Sequence, residues 1–264
     1  MLDVRYIHIT FHPGTPIENK ALRGVSLQIP EGQFVTVIGS NGAGKSTLLN
    51  AVSGDLSADS GQILIDDIDV TRTPVWRRAR HVARVFQDPM AGTCEDLTVE
   101  ENMALADRRG LLRNLARAVQ PARRDDYRQR LATLGLGLEG RLSDRIGLLS
   151  GGQRQAVSLL MAALRPSRIL LLDEHTAALD PRTAGFVLDL TSRIVAEHKL
   201  TSMMVTHSMR QALDIGDRTI MLHQGQIVLD VSGDERRSMT VQDLLAQFER
   251  VRCETVSDDA LLLG

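Results

Sequence analysis

Residues Gly39 to Thr47 read GSNGAGKST, and they directly follow the apolar run Phe34-Val-Thr-Val-Ile38. The G-x-x-x-x-G-K-[ST] spacing after a buried strand and before a helix restricts the chain to folds in which a strand, a tight loop and a helix form one unit. Glycines are needed because the backbone of Gly39, Ser40, Asn41, Gly42, Ala43 and Gly44 must wrap closely around an anion, where a Cβ would collide with phosphate oxygens. A helix starting near Lys45 adds the positive end of its dipole. On this pattern Lys45 reaches the β- and γ-phosphates, Ser46 offers its hydroxyl to Mg2+, and Thr47 assists at the α-phosphate. Of 31 basic residues only Lys20, Lys45 and Lys199 are lysines, so a chain that writes its positive charge as arginine still places lysine here. A planar guanidinium does not suit so narrow a cradle.

Leu170-Leu-Leu172 is a second buried-strand run, ending on the adjacent carboxylates Asp173 and Glu174. An apolar strand tolerates them only where they leave the core at its end. Two acids suggest two tasks: Asp173 holds Mg2+, through water, and Glu174 polarises the water that attacks the γ-phosphate. A third apolar run, Met203 to Val205, leads into Thr206 and His207. That histidine could contact the γ-phosphate or hold the attacking water, although taken alone it reads as structural.

Further along, Leu149 to Gln153 read LSGGQ. With that segment in place the chain resembles the nucleotide-binding subunits of ATP-binding cassette transporters, over nearly its whole length and with the motifs in the same order. The resemblance implies that Gln87, in Val85-Phe86-Gln87-Asp88-Pro89, senses Mg2+ and the γ-phosphate and links the core to a transmembrane partner. It implies that Asp180, in Ala177-Ala178-Leu179-Asp180, lies in an acidic loop crossing a dimer interface, and that His207 is the switch histidine. Ser150, Gly151, Gly152 and Gln153 would complete the nucleotide site of a second copy, with a hydroxyl and backbone donors at a helix start. Phe11 is the candidate for stacking on adenine, being set before Gly39 at a spacing similar to the family's aromatic, and Tyr6 is the fallback. Only 3% of the chain is aromatic, so candidates are few, and a core phenylalanine is the alternative for Phe11. Where many relatives have proline after the glutamate this chain has His175, read as a local substitution that alters the turn without altering the catalytic inventory, with a second proton carrier as the alternative. The Pro13-Gly14-Thr15-Pro16 stretch lengthens the loop after Phe11.

The 264 residues are 43% hydrophobic and 24% charged, enough to bury a sizeable core. No apolar stretch approaches the roughly 20 residues that span a bilayer. The N-terminus lacks a secretory pattern. Cys94 and Cys253 are isolated, which disfavours zinc or a disulfide framework. A net charge of −2 gives no general pull toward nucleic acid. Strand-like runs near 33–38, 82–86, 169–173, 202–206 and 218–222 alternate with amphipathic segments, so the expected fold class is α/β: a P-loop NTPase core with a mainly parallel sheet and helices on both faces, plus an N-terminal antiparallel β part. We expect a single ATPase domain over 1–264, with 1–87 and 151–264 as a RecA-like nucleotide-binding core. An inserted helical subdomain over 88–150 would carry the signature segment at its end. After Gly225 a strand over 226–230, a helix over 241–248 and a short tail are expected. The arginines from Arg108 to Arg130 invite a lipid-headgroup reading, but Asp107, Asp125 and Asp126 are interspersed and a solvated helical face is the commoner arrangement.

These features lead to an expected function: an ATP- and Mg2+-dependent subunit that pairs head to tail with a second copy, in a homodimer with two equivalent sites. It would drive separate transmembrane permease subunits, fed indirectly by an extracytoplasmic solute-binding protein, from the cytoplasmic side of the inner membrane as a peripheral subunit. Import of a small solute such as an amino acid is favoured. The alternative is a soluble ATPase remodelling a ribosome or a nucleic-acid complex; such relatives usually have two cassettes or a long coiled-coil insert, and neither is visible. A third reading, a nucleotide-gated structural subunit, is disfavoured by the intact Glu174.

Overall fold

The structure is a computed structural model that describes residues 1–111 and 117–250. Arg113 of the arginine cluster, Cys253 and the expected C-terminal tail lie outside the described residues. Two compact units are formed: Met1–Arg72 together with the chain from Met203 onward, and Thr73–Ser202. The segment 88–150, expected as an inserted subdomain, falls wholly within the second unit.

At the N-terminus of the first unit, β1 (Leu2–Phe11) pairs antiparallel with β2 (Asn19–Ile29), Val4 opposite Leu27. After β3 (Phe34–Gly39) and α1 (Lys45–Ser53), β4 (Ser60–Ile65) pairs antiparallel with the other edge of β1, Val4 opposite Ile63. The short β5 (Ile68–Asp69) completes a sheet in the order β2-β1-β4-β5. Val4, Leu27 and Ile63 are all buried, so the period-2 pattern sends one face of these strands into the core. A register shift between Val4 and Ile7 leaves Tyr6 with φ 48° and its side chain 73% exposed.

The second unit begins with α2 (Val75–Arg78) and β6 (Val82–Val85). α3 (Val99–Asp107) starts on a capping box: Thr98 Oγ1 accepts from the Glu101 amide while the Glu101 carboxylate accepts from the Thr98 amide. α4 (Arg124–Ala132) follows, then α5 (Gly151–Ala163). β7 (Ile169–Asp173) lies parallel to β6, with Val82 beside Ile169 and Val85 beside Leu172. α6 (Pro181–His198) closes the unit on Lys199, a left-handed C-cap. The arginine cluster is largely spent inside this unit. Arg123 binds Asp107 at 2.7 Å, Arg128 binds Asp125 at 2.6 Å, Arg130 binds Asp126 at 3.0 Å, and Arg109 donates to the carbonyls of Ala162 and Arg165. The solvated-face reading is therefore the one the geometry supports.

β8 (Thr201–Val205) returns the chain to the first unit, where α7 (Met209–Asp214), β9 (Arg218–His223), β10 (Gln226–Ser232), α8 (Gly233–Ser238) and a helix α9 over 241–250 follow. β3 has β8 on one side and a parallel β9 on the other, with Gly39 beside Leu222, and β10 is antiparallel to β9. Leu244 of α9 packs with Ile38, Ala212 and Met221, and Phe248, one turn on, meets the His223 ring edge-on at 6.3 Å. Arg236, buried, donates to the carbonyls of Ala212 and Ile215 and so satisfies the end of α7. The five principal strands form within one residue of their expected ends. Among the described residues no helix is long and apolar enough to cross a membrane.

Candidate functional site

The phosphate loop grows out of β3. Gly39 has φ 150° and a Cβ there would lie 2.2 Å from the Leu222 carbonyl oxygen; Gly44 has φ 101° and its Cβ would lie 2.5 Å from the Ala21 oxygen. Both positions thus require glycine for conformation and for space at once. The loop is braced from behind, since the Gly225 amide in the β9–β10 turn donates to the Ala43 carbonyl at 3.0 Å and the Gly225 carbonyl accepts from the Arg23 amide at 2.9 Å. Lys45, 5% exposed at the start of α1, donates through Nζ to the carbonyls of Gly39 and Ser40 at 2.8 and 3.0 Å. The ammonium therefore sits inside the loop it follows. Ser40, Asn41, Gly42, Ser46 and Thr47 line the solvent side, and Ala43 is buried beneath them. No side-chain cap closes the start of α1, so its first amides face this loop with the helix dipole behind them.

β7 carries the next group. Leu170, Leu171 and Leu172 are buried, Asp173 is the last strand residue, and Glu174 turns the chain with φ 43°. A left-handed glutamate costs roughly 1–2 kcal/mol relative to ordinary backbone, and strain of this kind gathers at functional turns. His175 is 2% exposed, and its Nε2 lies 2.9 Å from Thr191 Oγ1 on α6. The Thr191 hydroxyl donates to the Val187 carbonyl at 2.8 Å, so its single proton is used there and His175 must be the donor, neutral and protonated on Nε2. Burial lowers the His175 pKa from 6.5 to about 4. It is a structural histidine, in line with the expectation that it leaves the catalytic inventory unchanged.

Asp173 also has a partner that the sequence did not announce. Arg84 on β6 donates through Nη2 to Asp173 Oδ2 at 2.6 Å, and its guanidinium lies 4.7 Å from the centroid of the Phe86 ring. The two side chains are 12% and 13% exposed. One arginine within the apolar strand Val-Ala-Arg-Val was the available signal. Gln87 and Asp88, exposed, follow Phe86 at the start of the loop.

The signature residues sit at the head of α5. Ser150 caps the helix, its Oγ accepting from the Gln153 amide at 3.3 Å while the Gln153 side chain accepts from the Ser150 amide at 3.2 Å. Ser150 and Gly151 are exposed and Gly152 is buried. A Cβ on Gly152 would come within 2.1 Å of Thr183 Cγ2 on α6, so this glycine answers to helix packing. Thr183 is in turn the residue whose amide Asp180 accepts at 3.1 Å as the N-cap of α6, and hydrogen bonding to the Thr183 side chain, followed by this amide bond, lowers the Asp180 pKa. The signature tip and the Asp180 turn are joined through one threonine. Deeper in α5, Gln155 is fully buried and donates to the Phe86 carbonyl at 3.1 Å.

His207 is exposed directly after β8, between Thr206, whose amide donates to the Val37 carbonyl of β3, and Ser208, the cap of α7. Phe11 is half-buried at the end of β1, opposite Asn19. Arg84, Gln155, Thr183 and Thr191 are the residues that motif reading passed over, because their partners are brought near only by packing.

Comparison with known proteins places the chain in a family. A family profile described as "ABC transporter" matches residues 22–177. The chain is 44% identical over 249 residues to a tyrosine transport ATP-binding protein of Clostridioides difficile, covering 94% of this chain and 99% of that relative. It is 37% identical over 210 residues to the thiamine import ATP-binding protein ThiQ of Escherichia coli, covering 80% and 85%. Among solved structures, a dimeric ATP-binding cassette in a post-hydrolysis state with ADP and Pi superposes with a TM-score of 0.75 at 28% identity, covering 88% of this chain and 98% of that one. A glycine-shaped loop after β3, a strand ending on paired acids and a serine-capped helix, together with a family match over residues 22–177 and a relative matched over 94% of this chain, give one conclusion: the chain belongs to the ABC transporter family and is an ATP-hydrolysing cassette of it.

Proposed function

We propose that this cassette powers the import of a small organic solute, an amino acid or a related compound, through separate membrane permease subunits supplied by an extracytoplasmic binding protein. The observation that carries the proposal is the end-to-end similarity to a protein named for tyrosine transport, at 44% identity. A second importer-type relative, named for thiamine, supports import and leaves the solute class to that first likeness. On this reading the cassette is a peripheral subunit on the cytoplasmic side of the membrane, with 88–150 as its helical subdomain and Gln87 in the region that meets the permease.

The residue roles follow the same reading. Lys45 and the amides from Gly39 to Thr47 bind the phosphates, and Phe11 stacks on the base. Ser46 and Asp173, with Gln87, are oxygen donors suited to Mg2+, which keeps most of its ligands as water and phosphate. Among the described residues there is no group of three or more His, Cys, Asp or Glu side chains that could hold a metal ion. Bound Mg2+ would neutralise charge developing on the phosphoryl oxygens. Glu174 takes a proton from the attacking water, and His207 steadies that water or the γ-phosphate. Ser150, Gly151, Gly152, Gln153 and Asp180 serve the nucleotide of a second copy, so that ATP joins two subunits and hydrolysis parts them. A dimeric cassette among the similar structures supports that assembly.

The test is purification from native membranes with identification of the co-purifying polytopic protein, followed by phosphate release from the reconstituted complex with tyrosine and other amino acids supplied through the binding protein. Stimulation by an amino acid supports the proposal. Co-purification with ribosomes or nucleic acid and no polytopic partner would overturn it. In parallel, Glu174→Gln should keep ATP binding, form ATP-dependent dimers in gel filtration and lose phosphate release on the order of 100-fold or more.

A further inference from the structure

We propose that Arg84 is a positioning residue of the metal site, holding the carboxylate of Asp173 and tying it to the loop that begins at Gln87. The inference rests on the reading of Asp173 as a Mg2+ ligand.

In the parallel register of β6 and β7, Arg84 stands beside Leu171, two residues before Asp173, and its long side chain reaches forward along the strand to the carboxylate. One carboxylate oxygen is bound at 2.6 Å, which removes most of the rotational freedom of the aspartate and leaves the other oxygen for a metal-bound water. The guanidinium is itself confined, because its face lies against Phe86 at 4.7 Å. Phe86 is anchored in its turn, its carbonyl accepting from the buried Gln155 of α5, the helix headed by Ser150. Asp173, Arg84, Phe86 and Gln155 thus form a continuous chain of contacts inside the second unit. Gln87 is the next residue after Phe86, so the loop begins directly at the residue whose ring lies against the guanidinium.

Removing Arg84 alone would leave Asp173 as a largely buried carboxylate without its ion-pair partner, so a loss of stability is expected on either view and does not by itself mark a positioning role. What the arginine adds is a planar fork of fixed direction, which a lysine's rotating ammonium does not reproduce. The pair therefore orders a carboxylate whose aim matters to the reaction.

The experiment measures the affinity of a fluorescent ATP analogue with Mg2+ and with EDTA, in the full-length protein and in Arg84→Met, Arg84→Lys, Phe86→Leu and Asp173→Asn. The readout is the gain in affinity that Mg2+ confers, together with the thermal midpoint. The expected result is that Arg84→Met reduces this gain about tenfold, the scale of losses for outer partners of metal ligands, while affinity in EDTA is unchanged. Arg84→Lys should recover part of the gain, and Phe86→Leu should lose part of it. If Arg84→Met lowers the thermal midpoint while the Mg2+ gain stays at the wild-type value, the pair is merely structural and the inference is overturned. Should Arg84→Met fail to fold, wild-type gains in both Arg84→Lys and Phe86→Leu overturn it equally. Asp173→Asn separates the two levels of the argument: an undiminished gain there removes the metal assignment itself, whereas a lost gain there with unchanged Arg84 variants removes only the role of Arg84.

Discussion

Gly39 and His175 show how single positions next to the chemistry answer to packing. Adding one carbon at Gly39 drives it into the Leu222 carbonyl, a backbone atom that cannot swing away. Gly39→Ala should destabilise the protein by about 3 kcal/mol, from overpacking and from backbone strain, in urea unfolding, and should abolish nucleotide binding. His175 makes a prediction about pH. Its folded pKa is depressed from 6.5 to about 4, so as pH falls the unfolded chain takes up the proton first. Its contribution is whole above pH 6.5 and is lost as pH drops toward 4, by at most about 3 kcal/mol. Urea midpoints at pH 7.5 and 5 should therefore fall further apart for the wild type than for His175→Gln; equal spacing would refute the assignment. The glycines of the loop after β3 were legible because the spacing calls for positions without a Cβ, and Gly39 and Gly44 have the backbone angles and close neighbours that exclude one. Arg84 was not, since its partner is 89 residues away and meets it only through the register of β6 with β7.

At the scale of the element, α5 and α6 are held in register by the pair Gly152 and Thr183. Gly152→Ala adds a methyl that overlaps Thr183 Cγ2, and should cost about 2 kcal/mol even though alanine favours helix. Thr183→Ser deletes that methyl and keeps the amide that Asp180 caps, so the double variant should recover most of the loss. A thermodynamic cycle with no coupling between the two positions would contradict the packing account. Strands β3, β7 and β8 could be placed from sequence because each is built on a short, mostly apolar run, whereas the role of Gly152 could not. In the pattern LSGGQ both glycines look alike, and only the approach of α6 distinguishes the exposed Gly151 from the buried Gly152.

The whole molecule inherits a particular order of assembly from the turn behind the phosphate loop. β3 is flanked by β9, and the Ala43 carbonyl is held by Gly225, about 180 positions later in the chain. Contacts so distant in sequence close slowly and late. A nascent polypeptide that has exposed its GKS segment but not yet residue 225 lacks the brace that shapes the cradle. Chains ended near residue 200 should therefore show no retention on an ATP resin, while chains ended at 250 should be retained. On this account the cradle cannot take its nucleotide-ready shape before the β9–β10 turn has folded behind it.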